Sequence, residues 1–367
     1  KVAALFLEAV RHWDSRLPDT RFNIPDRHIS DSILAGLAHI MINRDGPAIQ
    51  PGSRAYEAAW MRDGALTSSA LLRMGYTNEV LEYLEWYGTF QYEDGRIPAI
   101  VIIGRNEVNP VLELDSQGQW VSAVLDYYRF TGDRSFLESH WGRVVKALEY
   151  LANARAQEAE AQKNNTHDPQ RYAGLLPQSV SHEGYYPEPG NHSYWDNFWA
   201  LKGWSDGAVI ARLLGRETDE VRFRKKESSH RDALYKSIDV AMQWHRINYI
   251  AGCAELGDFD PSSTAIAIVA CDELEHLPQP ALSNTFNRYY EGLLERKKPG
   301  WRGSFSPYEI RIAQAFQLMG DPVRGKVVLD YLMQTQRPAG WRQWPEAVYF
   351  PEDQPGYIGD MPHTWVA

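Results

Sequence analysis

The stretch that decides the fold runs from Ser116 to Gln157: SQGQWVSAVLDYYRFTGDRSFLESHWGRVVKALEYLANARAQ. Leu, Val and Ala recur through it at three- and four-residue steps, the period of a helix with one buried face. The run breaks once, at Thr131-Gly132-Asp133. Glycine takes the left-handed conformation that ends a helix at little cost. An acidic residue directly after it accepts from the free N–H groups of the next helix. The stretch therefore reads as two helices, 116–131 and 134–157, folded back on each other. The same punctuation recurs at Met74-Gly75-Tyr76, Leu214-Gly215-Arg216 and Met319-Gly320-Asp321. Further helices are expected at 1–15, 29–43, 58–74, 78–90, 195–214, 217–243, 261–275, 279–296, 305–319 and 321–336, with a last one starting near 363.

Tight glycine connections alternate with long ones, at about 44–57, 91–115, 158–194, 244–260, 297–304 and 337–362. A repeated helical hairpin of roughly 50–60 residues is the signature of an array of helix pairs. Helices alternate in direction, so every second connection lies at the same end, and the long loops crowd one face. Loops beyond about 12–15 residues are uncommon unless functional. The expected architecture is all-α: an (α/α)6 barrel, with an open solenoid as the alternative. Residues 1–367 read as one such unit or as a fragment of a longer chain. The sixth inner helix starts only near 363, so either more chain or the N-terminal helix 1–15 is expected to complete the ring.

Composition narrows the partners. The 367 residues carry a formal charge of −10, which argues against a nucleic-acid binder. No apolar run approaches the roughly 18 residues of a membrane span. Cys253 and Cys271 have no metal-ligand spacing, and buried thiols are the first expectation. The 11 His form no HExxH pair, so no metal or cofactor is expected. A structural Ca²⁺ among the loop acids is left open. Compartment and oligomeric state are not legible.

The unusual feature is aromatic: 13 Trp, 20 Tyr and 12 Phe. Many of these rings fall in or beside the long loops, among them Trp60, Tyr185, Trp195, Trp344 and Trp365, together with Asp63, Asp115, Glu183, Asp196, Asp258, Glu346 and Asp360. Sugars offer C–H faces to flat rings and hydroxyls to carboxylates, so a carbohydrate is the expected ligand.

On these residues the chain resembles the six-hairpin glycosidase superfamily of glucoamylases, trehalases, processing α-glucosidases and glycogen-debranching-like proteins. The resemblance runs from about residue 51 to the C-terminus. Trp60-Met61-Arg62-Asp63-Gly64-Ala65 is similar to the segment that opens the first inner helix in those enzymes. The resemblance implies that Arg62 and Asp63 bind hydroxyls of the innermost sugar; a buried ion pair at a helix start is the structural alternative. Asp115 matches the second hairpin and also suits an N-cap.

The segment Gly174 to Tyr185, running into His192-Ser193-Tyr194-Trp195-Asp196, resembles the region that supplies the general acid. That implies Glu183 as the acid, with Asp196 as the fallback. Trp344-Pro345-Glu346-Ala347, followed by Gly359-Asp360-Met361-Pro362-His363-Thr364-Trp365, resembles the segment that supplies the general base. That implies Glu346, with Asp360 as the fallback. Trp60, Arg62, Asp63, Asp115, His182, Tyr185, Trp195, Asp196, Asp258, Trp344 and His363 are the expected substrate contacts. Asp260, followed by Pro261, reads as an N-cap.

Hydrolysis of a glycosidic bond needs one protonated and one ionised carboxyl. Glu183 and Glu346 sit on loops expected to face each other across a funnel, which suits inversion. The expectation is an inverting, exo-acting glycoside hydrolase with an α-glucoside as first substrate. The alternatives are a phosphorylase or lyase on the same fold, or a non-catalytic sugar-binding barrel.

Overall fold

The computed structural model describes residues 2–16, 23–163, 170–182, 185–351, 359–361 and 363–365. Twelve α-helices are present among them. The first hairpin is α3 (Met61–Arg73) with α4 (Thr77–Gly88). Then come α5 (Ser116–Thr131) with α6 (Arg134–Gln162), α7 (Tyr194–Leu213) with α8 (Glu217–His245), α9 (Pro261–Val269) with α10 (Ala281–Arg296), and α11 (Ile310–Leu318) with α12 (Pro322–Gln334). The glycines at 75, 132, 215 and 320 all take positive φ, as the tight turns require.

From α3 onward the odd-numbered helices pack in sequence, α3 on α5, α5 on α7, α7 on α9 and α9 on α11, and form an inner ring. Each also packs against the next helix in the chain, which lies outside it. Between the layers are fully buried large side chains such as Trp120, Trp204, Phe198 and Phe316. Burying one such group stabilises the fold by about 1.5–3 kcal/mol. At the α5–α7 crossing the backbones nearly touch: a Cβ on Gly118 would stand 1.9 Å from the carbonyl oxygen of Trp199. A side chain larger than hydrogen there would force the two inner helices apart.

The two ends of the array meet. In α2 (Arg27–Asn43), His28 bonds to Gln336 at 2.7 Å and His39 to the carbonyl of Trp341 at 3.2 Å. Thr364 donates its N–H to the carbonyl of Pro51 at 2.8 Å. This is the closed toroid read from the hairpin periodicity.

Several local expectations are corrected. Helix α1 (Val2–Arg16) does not fill the ring; Val2 and Phe6 are 83% and 67% exposed, and Trp13 packs on the core. Helix α9 ends at Val269, not 275, because the chain turns through Asp272 at φ 60°. The helix expected from 305 starts at Ile310; Ser306 precedes Pro307 and stays extended, as a residue before proline prefers. Near 363, Thr364 and Trp365 form a turn. Both cysteines are free and buried.

The long loops are tied by two small antiparallel sheets that the periodicity does not reveal. One joins β1 (Ala59–Trp60), β2 (Ile100–Ile102) and β3 (Glu107–Asn109). The other joins β4 (Gly303–Phe305) to β5 (Val348–Phe350), with Phe305 opposite Val348.

Candidate active site

The first sheet sets one wall of a cleft. Strand β1 runs directly into α3, and the Met61 N–H bonds to the carbonyl of Ala99 at 2.9 Å. The Tyr87 hydroxyl donates to the carbonyls of Pro98 and Ala99 at 3.0 and 3.1 Å and fixes the loop that leads to Glu113. Arg62 and Asp63, in the first turn of α3, thereby meet the residues just before α5. Arg62 Nη1 lies 2.5 Å from Glu113 Oε2 and 3.5 Å from Asp115 Oδ2, and its Nε lies 3.8 Å from Asp63 Oδ2. All four side chains are buried. Burial pushes the Asp63 and Glu113 carboxyls up to about 7, against the opposing pull of Arg62.

The second sheet sets the opposite wall. By pairing β4 with β5 it brings Tyr308, just after β4, to Glu346, just before β5. The Tyr308 hydroxyl lies 3.3 Å from Glu346 Oε1, and the Tyr56 hydroxyl donates to Oε2. Tyr308 also meets His363 Nε2 at 3.1 Å. Gly359, at φ 66°, lets the backbone pass close to Glu346: a Cβ there would lie 2.4 Å from Oε2. Burial raises the Glu346 pKa, opposed by the two tyrosines and Arg62. His363 is pulled down to about 4 by burial and stays neutral.

Between these walls lies a cleft of about 250 Å³, lined by Pro51, Tyr56, Trp60, Arg62, Asp63, Ile100, Glu113, Tyr308, Glu346, His363 and Trp365. Of the expected contacts, the cleft thus holds Trp60, Arg62, Asp63, Glu346 and His363. Tyr56, Glu113 and Tyr308 were missed. They sit outside the quoted motifs, on segments positioned by strands of two or three residues.

The remaining expectations are placed elsewhere. Asp115 stands at the N-cap of α5 but its side chain makes no capping bond: its Oδ2 accepts from Gln119 Nε2 and Trp195 Nε1, both at 2.8 Å, behind Arg62. Trp195 is fully buried and stacks on His182 with ring centroids 4.2 Å apart. Half-exposed Tyr185 stacks on the other side of His182 at 5.3 Å. Asp196 is buried, accepts from Ser179 Oγ and leaves Oδ1 without a hydrogen-bond partner. Burial, and then the Asp115 charge, raise its pKa well above the usual carboxylate range. Glu183 lies outside the described residues.

Three expected residues are not among the lining of this cleft. Trp344 points into the core, where its Nε1 donates to the carbonyl of Leu332 at 2.8 Å. Asp258 holds its own loop, accepting from Tyr186 Oη at 3.0 Å and from the Cys253 N–H at 3.3 Å. Asp360 accepts the N–H groups of Arg54, Ala55 and Tyr56 at 2.8–3.0 Å and the Arg54 side chain at 3.3 Å. Burial pushes its pKa up, but the three N–H donors outweigh this and hold it below the usual range. Asp260 caps α9 as expected, accepting from Ser262 and Ser263. Among the described residues no group of three or more His, Cys, Asp or Glu is arranged to hold a metal. Among them, too, no helix is long and apolar enough to cross a membrane.

The loop that carries residues 170–182 and leads into α7 is anchored by His192. Its Nδ1 lies 2.5 Å from Glu255 Oε1 and its Nε2 3.1 Å from Glu158 Oε1. Burial lowers the imidazole pKa, but the bonds to Glu158 and Glu255 win and raise it from 6.5 to about 9. A raised folded pKa gives stability that is whole below about 6.5 and is lost as pH rises through about 9. Denaturant titrations of wild type and His192→Gln at pH 6 and pH 9.5 will show a wild-type advantage of up to about 3 kcal/mol that disappears at the higher pH. An advantage independent of pH would mean that the imidazole is neutral in the fold.

No family model matches the chain. It is 30% identical over 105 residues to the uncharacterized glycosyl hydrolase MJ1610 of Methanocaldococcus jannaschii, a match spanning 29% of this chain and 17% of that protein. Among solved structures it is similar to a rhamnosidase from Klebsiella oxytoca with rhamnose bound, at TM-score 0.67 and 12% identity. That likeness covers 94% of this chain and 63% of the rhamnosidase, so the chain spans less than two thirds of either protein. It is also similar to a glycosidase variant in complex with glucose, at TM-score 0.66 and 13% identity over 93% and 94% of the two chains. A third is the GH63 mannosylglycerate hydrolase from Thermus thermophilus in complex with Tris, at TM-score 0.60 and 14% identity over 91% and 97%. The chain therefore has the six-hairpin (α/α)6 fold of these glycosidases.

Proposed function

We propose that the protein is a glycoside hydrolase whose innermost sugar binds in the cleft between Arg62–Asp63 and Glu346. The observation that carries this is one half-buried carboxyl, Glu346, held by two tyrosine hydroxyls and sharing a ring-walled cleft of about 250 Å³ with the Arg62 carboxylate cluster. A space of that size suits one monosaccharide, which favours exo action. Trp60 and Trp365 supply flat faces, and Asp63 and Glu113 supply acceptors. Glu346, whose pKa burial raises while Tyr56, Tyr308 and Arg62 pull it back toward the ionised form, is the base that takes a proton from the attacking water. The fold's glycosidases, two of them solved with a sugar bound, support the carbohydrate substrate.

The acid is Glu183 or, failing it, Asp196, whose pKa burial and then the Asp115 charge push up, the direction a proton donor needs. An acid and base on opposite faces of the sugar ring give inversion. α-Glucosides are the first substrates to try.

The test is a panel of aryl glycosides and glycosyl fluorides, with product anomers followed by NMR. Turnover of an α-glucoside with β-glucose appearing first is expected. Replacing the acid, by Glu183→Gln or Asp196→Asn, will slow the aryl glycoside far more than the fluoride, which needs no protonation to leave. Sugar binding with no turnover of any member would replace the hydrolase with a binding barrel.

A further inference from the structure

The cleft has an unusual charge balance. Arg62 is the cationic side chain among its described lining residues, since His363 is neutral. Three carboxyls line the same space: Asp63, Glu113 and Glu346. The guanidinium is already engaged, by Glu113 at 2.5 Å, Asp115 at 3.5 Å and Asp63 at 3.8 Å. The next guanidinium, Arg311, lies beyond the Trp365 ring, 4.9 Å from its centroid, and lines the neighbouring chamber instead.

We propose that Glu113 is a specificity-determining residue that closes the cleft to anionic sugars: it takes the Arg62 Nη1 that a uronate or a phosphorylated sugar would need, and offers its second oxygen to a neutral sugar hydroxyl. This inference rests on the glycosidase reading of the same cleft. Glu113 Oε2 faces Arg62, while no described residue bonds to Oε1. Asp63 Oδ2 likewise has no hydrogen-bond partner. Neither oxygen accepts a hydrogen bond from a described residue, so each can accept one from a sugar hydroxyl. An arriving carboxylate meets the opposite situation: it must be desolvated beside Glu113 and Asp63 with no uncommitted cation to pair with. Like charges placed together across a binding surface discriminate strongly between partners. The same arrangement disfavours lyase chemistry, which acts on uronates, and phosphorolysis, which must bind a phosphate dianion.

The experiment compares binding of glucose, mannose and galactose with that of their 6-oxidised uronates by calorimetry at pH 7.5. The matched 4-nitrophenyl glycosides and glycuronides are assayed in parallel, for wild type, Glu113→Gln and Glu113→Asp. Wild type is expected to favour the neutral sugar by about 100-fold or more. Glu113→Gln, which frees the guanidinium without changing shape, should shrink that ratio at least about 10-fold through Kd and KM, and Glu113→Asp should restore most of it.

A wild type that binds a uronate as well as its neutral partner overturns the inference, as does a ratio unchanged by Glu113→Gln. Should that variant fail to fold, the wild-type ratio alone decides. If no glycoside is turned over while the binding ratio holds, the hydrolase reading falls and the selectivity stands. Absence of binding by every sugar overturns both.

Discussion

Glu346→Gln will lower kcat on the best glycoside of the panel by about 10²–10⁴-fold, the usual contribution of a positioned acid or base, and will leave KM within a few-fold of wild type. The amide keeps the shape and the contacts of the carboxylate with Tyr56 and Tyr308 but cannot accept the proton of water. Loss of a group that acts only in the transition state lowers kcat and kcat/KM together. Asp360→Asn serves as the contrast. Asp360 spends its oxygens on the N–H groups of residues 54–56. That variant should loosen the loop and lower stability more than it lowers kcat. Full activity of Glu346→Gln would remove Glu346 from the chemistry.

Arg62→Ala is expected to be the most destabilising change in the cleft, by about 3–5 kcal/mol, because it strands buried carboxylates rather than deleting one contact. Asp63, Glu113 and Asp115 would then face one another with their counter-ion gone. The effect depends on pH, and its sign follows from the raised pKa values. Asp63 and Glu113 titrate at about 7 in the fold, against 3.8 and 4.5 as ordinary side chains. Below about 5 both are protonated with or without Arg62, and little charge is left to strand. Above 7 they ionise, and the missing guanidinium is felt in full. Urea titrations at pH 5 and pH 8 should show a small difference from wild type at the first and the full loss at the second. Equal losses at both would mean that Arg62 stabilises by packing alone. Sugar binding should disappear in the same variant even where it folds.

Periodicity and glycine made the helical array legible. Ser116–Thr131 can be read from the spacing of its Val and Leu residues and the Gly132 stop, because those signals are local. What the sequence hides is what strands of two or three residues do, since a period of two needs a longer run to show. Strands β1–β3 bring Glu113 to Arg62, and β4–β5 bring Tyr308 to Glu346. Neither meeting leaves a local pattern. Trp344 shows the opposite error: a tryptophan in a long loop reads as a sugar platform, yet its indole N–H is satisfied by the carbonyl of Leu332 inside the core. Asp258 and Asp360 are bonded within the loop regions for a related reason. Loop carboxylates commonly satisfy their own loop's N–H groups, and residue type does not say which way they turn. The Arg62–Asp63 pair and Glu346 were placed by resemblance to motifs, and the fold sets them around one cleft.

This cleft is proposed to hold the sugar whose bond is broken. The most direct measurement is a crystal structure of Glu346→Gln soaked with the best substrate. The expected result is a glycone hydrogen-bonded to Asp63 and Glu113 between the rings of Trp60 and Trp365. Residue 346 should sit below its anomeric carbon, with a second carboxyl roughly 6.5–9.5 Å away across the scissile bond. A glycone bound outside this cleft, or no second carboxyl within about 12 Å of residue 346, well beyond that inverting window, would contradict it.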